Sequence, residues 1–178
     1  MKVICISGTP ATGKTTLAKK LSKKLSFEYI DVNKIIKKYN LSEGYDKKRR
    51  CKVIDIKKLN KKLISLINQY KKPLKNKSIN LKNTKKIKNK KKGLIIDSHL
   101  SHYLPKKYVN LCIITKCDLK TLEKRLRKRK YAKSKIRENL DSEIFDTSYT
   151  EALENKHKII VINETNNINM NKICLKIK

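Results

Sequence analysis

No window of this sequence approaches the apolar length needed to cross a bilayer, and the apolar run after Met1-Lys2 is too short for a secretory signal. Neither a membrane span nor an export leader is expected. The cysteines Cys5, Cys51, Cys112, Cys117 and Cys174 are scattered, odd in number and without a Cys-x-x-Cys pair. That argues against a disulfide frame or a zinc site, and for reduced thiols in a cytoplasmic protein. Acidic residues are scarce as well: 15 Asp and Glu face 47 Lys and Arg, a formal charge of +32. A field of that sign attracts nucleic acid and anionic substrates without sequence preference. Yet no stretch rich in arginine and aromatics marks RNA recognition, and the eight tyrosines are dispersed. Lysine, asparagine and isoleucine are all abundant, so compositional bias explains the charge equally well.

Glycine is the most informative scarcity. Only four occur in 178 residues, and two of them fall in Gly8-Thr9-Pro10-Ala11-Thr12-Gly13-Lys14-Thr15-Thr16. This run fits G-x-x-x-x-G-K-[ST], a loop that wraps nucleotide phosphates. Glycines let the backbone turn tightly and bring successive N–H groups onto phosphate oxygens. Lys14 is placed to reach the β- and γ-phosphates, and the Thr15 hydroxyl to ligate the Mg²⁺ that bridges them. The apolar run Val3-Ile4-Cys5-Ile6 predicts a buried strand entering the loop. Leu17, Leu21 and Leu25 share one face of a helix leaving it, whose dipole adds positive potential.

Downstream, strands are predicted at residues 27–32, 93–97, 109–115 and 158–163. Helices are predicted near residues 32–39, after Asp55, after Asp118, from a Ser134 cap through Ile136, Leu140 and Ile144 to about Glu154, and from Met170. Residues 41–46 read as a turn. Residues 71–92 hold 11 lysines, one proline and no acid, too little apolar surface to order, and read as a mobile insertion. Five short strands alternating with helices predict one α/β domain, a parallel sheet covered on both faces with ligands at its carboxyl edge.

A second set of residues lies at the strand end Ile96-Asp97-Ser98-His99. Beside a phosphate loop, a carboxylate there contacts Mg²⁺ and complements Thr15, and His99 in the same crevice can orient a water or a phosphate oxygen. His102 and His157 carry no such signal and read as surface or packing histidines.

Taken together, the Gly8–Thr16 loop, the run Asp97-Ser98-His99-Leu100-Ser101-His102-Tyr103-Leu104-Pro105, and Gly44-Tyr45-Asp46, Cys51, Tyr131 and Lys135-Ile136-Arg137-Glu138-Asn139 through Glu143-Ile144 resemble the adenylate kinase isoenzyme 6 family of archaea and eukaryotes. The resemblance covers nearly the whole chain outside residues 71–92. It implies a three-layer phosphate-loop NTPase fold and a broad nucleoside monophosphate kinase, ATP + AMP to two ADP, with ATPase activity. It also implies action in late small-subunit ribosome maturation, with a ribosomal protein as partner. By position, Ala11, Gly13, Lys14, Thr15 and Thr16 would bind ATP, with Arg129 clamping the nucleotide. Residues 31–54 would form the monophosphate region and residues 128–138 the lid. Asp97 and His99 would serve Mg²⁺ and water positioning.

Three departures from the family pattern stand out. Ala11 and Lys130 replace usual glycines, and the monophosphate helix lacks an obvious arginine, leaving Lys37, Lys38, Arg49 or Arg50. Two other functions remain open: an assembly ATPase with little kinase activity, and a nucleotide-gated RNA-binding protein.

Overall fold

The computed structural model describes residues 1–47, 49, 51–71, 92–163 and 169–177. The Lys-rich insertion expected at residues 71–92 lies outside the described residues, apart from Lys71 and Lys92 at its ends.

Five parallel strands form the sheet: β1 (Lys2–Ser7), β2 (Glu28–Asp31), β5 (Gly93–Asp97), β6 (Leu111–Lys116) and β7 (Ile159–Asn163), in the spatial order β2-β5-β1-β6-β7. Alternation along the strands feeds two cores. Val3 and Cys5 pack on one face against Leu59, Leu63 and Ile67 of α3 (Ile56–Lys71) and Ala152 of α6 (Thr147–Glu154). Ile4 and Ile6 pack on the other against Leu17, Ala18 and Leu21 of α1 (Lys14–Leu25) and Ile173 of α7 (Met170–Ile177). Each such leucine stabilises by roughly 1.5–3 kcal/mol, so burial on both faces outweighs the chain's low apolar content. Among the described residues, no helix is long and apolar enough to cross a membrane.

The connections place the functional edge. Asp31 ends β2 and immediately caps α2 (Val32–Lys38), its Oδ1 accepting from the Asn33 N–H at 3.0 Å. Asp55 and Asp118 likewise cap α3 and α4 (Leu119–Lys128), accepting from Lys57 N–H at 2.7 Å and Thr121 N–H at 2.8 Å. Hydrogen bonding to these backbone amides holds both carboxyls below their usual range.

Three expectations need correction. Residues 41–46 are not only a turn: β3 (Ser42–Asp46) pairs antiparallel with β4 (Cys51–Ile54) in a largely exposed hairpin. Its order comes from backbone pairing, so no apolar alternation announced it. Ser134 does not cap the helix after the basic cluster. Ala132 occupies that position with no side-chain bond, and Ser134 sits inside the first turn of α5 (Lys133–Ile144). That helix stops short of Glu154. The chain turns at Asp146, φ 53°, before α6 starts, which leaves Ile144 53% exposed instead of facing inward.

Candidate active site

Ser7 ends the central strand β1, and the phosphate-loop motif follows it directly. Gly8 adopts φ 132°, and a Cβ there would lie 2.3 Å from the Thr115 carbonyl oxygen of β6, so only glycine fits. Gly13, at φ 97°, caps the start of α1. Between them the loop is tied from inside. Thr12 Oγ1 donates to the Thr9 carbonyl at 2.8 Å and lies 2.6 Å from Thr115 Oγ1, while the Thr115 hydroxyl also reaches the Ser7 carbonyl at 3.2 Å. Arg125 of α4 closes the outside, donating from Nη1 to the Ala11 carbonyl at 3.2 Å. Lys14, largely buried, donates to the carbonyls of Gly8 and Thr9 at 2.8 and 2.7 Å. Thr15 and Thr16 are exposed on the first turn of α1.

Both family glycines that this chain replaces sit at left-handed positions. Ala11 has φ 73° and Lys130 has φ 57°. Ala11 carries a strain of about 1–2 kcal/mol there, but its methyl is buried with Leu122, Leu126 and Ile136. Packing offsets the backbone cost.

Asp97, nearly buried at the end of β5, lies level with Ile6 of β1 and Asp31 of β2. The Tyr29 hydroxyl donates to Asp97 Oδ2 at 2.9 Å and is also hydrogen-bonded by the Thr15 side chain. Burial, and then the Asp97 charge, push the Tyr29 phenol well above its ordinary range, so it stays a donor. The structure thus brings Thr15 and Asp97 to the two sides of one tyrosine hydroxyl. Among the described residues no group of three His, Cys, Asp or Glu side chains could cage a metal. A hydroxyl and a carboxylate as donors fit Mg²⁺, which takes most of its other ligands from phosphates and water.

His99 opens onto a crevice of about 950 Å³ that runs from Gly8, Thr9 and Pro10 to α2, the β3–β4 hairpin, α5 and α6. His99 is exposed to the open crevice. Desolvation, then the charges of Lys14, His102 and Lys135, lower its pKa to about 4. At neutral pH it is an uncharged imidazole able to accept a proton.

The crevice walls carry more cations than carboxylates, the latter being Glu138, Asp141 and Glu151. Lys37 and Arg49 line one side and Lys130 and Lys135 the other. Glu138 of α5 links the sides, accepting from Arg49 Nε at 2.9 Å and from Lys135 Nζ at 2.8 Å. Those two cations hold its carboxyl below the usual range. Arg129 is exposed at the carboxyl end of α4 and stands outside the crevice lining, next to the Lys130-Tyr131 turn that does line it.

Several site residues carried no sequence signal. Tyr29 alternates like any strand residue, and Thr115 and Arg125 meet the loop only through the fold. His102 is a packing histidine, as expected, but also a polar one: Nδ1 lies 2.6 Å from Ser7 Oγ and Nε2 2.9 Å from Glu151 Oε2.

Comparison with known proteins agrees with this geometry. A family model described as an AAA domain matches residues 4–146. The "Putative adenylate kinase" of Methanosarcina acetivorans is 34% identical over 163 residues, spanning 92% of this chain and 77% of that protein. The adenylate kinase isoenzyme 6 homolog of Caenorhabditis elegans is 29% identical over 158 residues, spanning 89% of this chain and 76% of its own. Among solved structures, deoxyadenosine kinase from M. mycoides with bound dATP superposes with a TM-score of 0.53 over 99% of each chain at 16% identity, a likeness of fold.

Proposed function

Since the chain belongs to the family of these adenylate kinases, we propose that it is a nucleoside monophosphate kinase that transfers the γ-phosphoryl group of Mg-ATP to AMP, giving two ADP. The observation that carries this reading is the crevice of about 950 Å³ beside the phosphate loop, with the volume for a nucleotide and more cations than carboxylates in its walls. A hydrolase needs room only for a water.

In this reading the loop amides of Ala11, Gly13, Thr15 and Thr16 hold the donor phosphates, and Lys14 leaves its loop carbonyls to bridge the β- and γ-oxygens. Thr15 and Asp97 would hold Mg²⁺, which would supply neutralisation of the charge developing on the transferred group. Tyr29 fixes the Asp97 carboxylate by holding one of its oxygens. Residues 31–54 form the acceptor region, where Lys37 and Arg49 orient the AMP phosphate. A phosphate oxygen of AMP forms the new O–P bond while the bond to the leaving ADP breaks, so no general base is required. Residues 128–138 act as the lid, and Arg129 clamps the donor when the lid closes.

One observation favours ATPase activity beside the transfer: the neutral His99 faces the crevice near Lys14 and can position an attacking water. Partnership with a small-subunit ribosomal protein and pre-ribosomal particle, and an RNA contact through lysine-rich surface, belong to the same reading; the net charge of +32 supports the RNA contact, and the resemblance in sequence implies the ribosomal partner. Salt-dependent co-sedimentation with ribosomal subunits tests that part.

Product analysis with and without AMP tests the kinase. Two ADP per AMP consumed are expected; ADP and free phosphate at a rate indifferent to AMP would leave only the ATPase. His99→Ala separates the two activities, with hydrolysis falling about 10²-fold and transfer falling less.

A further inference from the structure

Beneath the phosphate loop runs a chain of polar side chains that the proposed transfer does not use. It starts at Ser7, fully buried and the residue before Gly8. The Ser7 hydroxyl lies 2.6 Å from Nδ1 of His102, a ring that is 1% exposed. His102 Nε2 lies 2.9 Å from Glu151 Oε2 of α6, and the Tyr103 hydroxyl donates to Glu151 Oε1 at 2.6 Å. Glu151 and Tyr103 both line the crevice.

The protonation pattern is determined by the partners. A carboxylate only accepts, so Nε2 carries the hydrogen, and Nδ1 accepts from the serine hydroxyl. The backbone is anchored too. His157 Nε2 donates to the His102 carbonyl at 2.8 Å, and Asn60 Nδ2 donates to the Tyr103 carbonyl at 2.8 Å. A polar chain here has one distinctive property: it joins the residue that enters the phosphate loop to an open wall of the neighbouring site.

We propose that Ser7, His102 and Glu151 form a positioning link through which an acceptor nucleotide in the crevice tightens the phosphate loop's hold on ATP. A ligand that contacts Tyr103 and Glu151 fixes that wall, and the fixed wall holds the imidazole and the serine at the loop base. Binding at one place then lowers the ordering cost at the other, which is coupling in the thermodynamic sense. His102 acts through its neighbours and touches neither nucleotide. The proposal rests on the kinase reading above.

The test is the affinity of a non-hydrolysable ATP analogue, measured with and without saturating AMP, beside a direct AMP titration. Wild type is expected to bind the analogue on the order of five- to tenfold more tightly when AMP is present. Ser7→Ala and Glu151→Ala should each bring that ratio to within about twofold of one, and the double variant no further, because the two residues act in series. Glu151→Ala lies on the open wall and carries the test if the buried Ser7→Ala does not fold. A merely structural role would weaken the analogue equally with and without AMP and leave the ratio intact. A preserved ratio in folded variants overturns the link. So does a wild type that binds AMP with a ratio of one, which leaves the kinase reading standing. Failure of wild type to bind AMP at all overturns both.

Discussion

The two ends of the crevice are built differently. At the loop end, Ser7, Thr12, Thr115, Lys14 and Asp97 are buried or nearly so, and each is hydrogen-bonded: Ser7 with His102, Thr12 with Thr115, Lys14 to the Gly8 carbonyl and Asp97 from Tyr29. At the far end the hairpin β3–β4 and the start of α5 are largely exposed and meet through Arg49–Glu138, an ion pair with the arginine 53% exposed. Exposed pairs are worth about 0–1 kcal/mol, whereas a buried polar group left without its partner costs about 1–3 kcal/mol. The strand ends beneath the loop therefore keep one geometry before substrate arrives, while the Lys14 side chain moves from its loop carbonyls to the phosphates. The hairpin and lid can separate at small cost, as a site that admits and releases a second nucleotide requires.

Lys14→Ala breaks this contrast most severely. It removes the clamp on developing charge, so AMP-dependent ADP formation should fall by at least about 10²-fold while the folded structure persists. Initial rates with circular dichroism check both halves, and near-normal turnover in a folded variant would remove Lys14 from the transfer. Arg49→Ala probes the soft end. Half-saturation by AMP should rise about three- to tenfold, with thermal stability nearly unchanged, since the pair it breaks is exposed. A large stability loss there would mean that the hairpin is not loosely held.

Acidification should act on the rigid end first. Burial lowers the pKa of His102 in the folded chain, whereas the unfolded histidine titrates near its ordinary value of about 6.5. Its contribution to stability is therefore present above that value and is lost as pH falls below it, because the unfolded chain takes up the proton that the folded one resists. Denaturant unfolding at pH 7.5 and 5.5 should show this loss in wild type and a smaller loss in His102→Asn; His99, shifted in the same direction, is common to both proteins. Equal losses would exclude His102 as the source.

Ala11→Gly should have the smallest effect. Relief of left-handed strain gains about 1–2 kcal/mol, while a lost buried methyl and glycine's extra freedom cost about 0.8 and 0.5–1 kcal/mol. A net change under about 1 kcal/mol in unfolding free energy is expected, and a loss above 2 would show that the methyl, not the backbone, governs the position.

The same contrast explains what could be read from the amino-acid order. The placement of residues 8–16 between strand and helix, and of Asp97 at a strand end, was legible because the signals are local: a spaced motif, and an acid closing an apolar run. The five strands were legible because burial on both sheet faces demands short apolar runs. Tyr29, Thr115 and Glu151 were not, since Asp97, Thr12 and His102, to which they are hydrogen-bonded, lie 68, 103 and 49 residues away. The hairpin escaped because exposed backbone pairing leaves no periodicity. The break between α5 and α6 falls at Asp146 with no glycine or proline to announce it.

The central claim, one rigid donor site and one soft acceptor site in a shared crevice, is tested most directly by amide hydrogen exchange with a compound joining two adenosines through a pentaphosphate. Binding should slow exchange in both residues 42–54 and residues 130–138, with amides of residues 3–7 and 94–97 already slow before it is added. Protection confined to residues 8–16, with the hairpin and lid exchanging as in the free protein, would contradict the account.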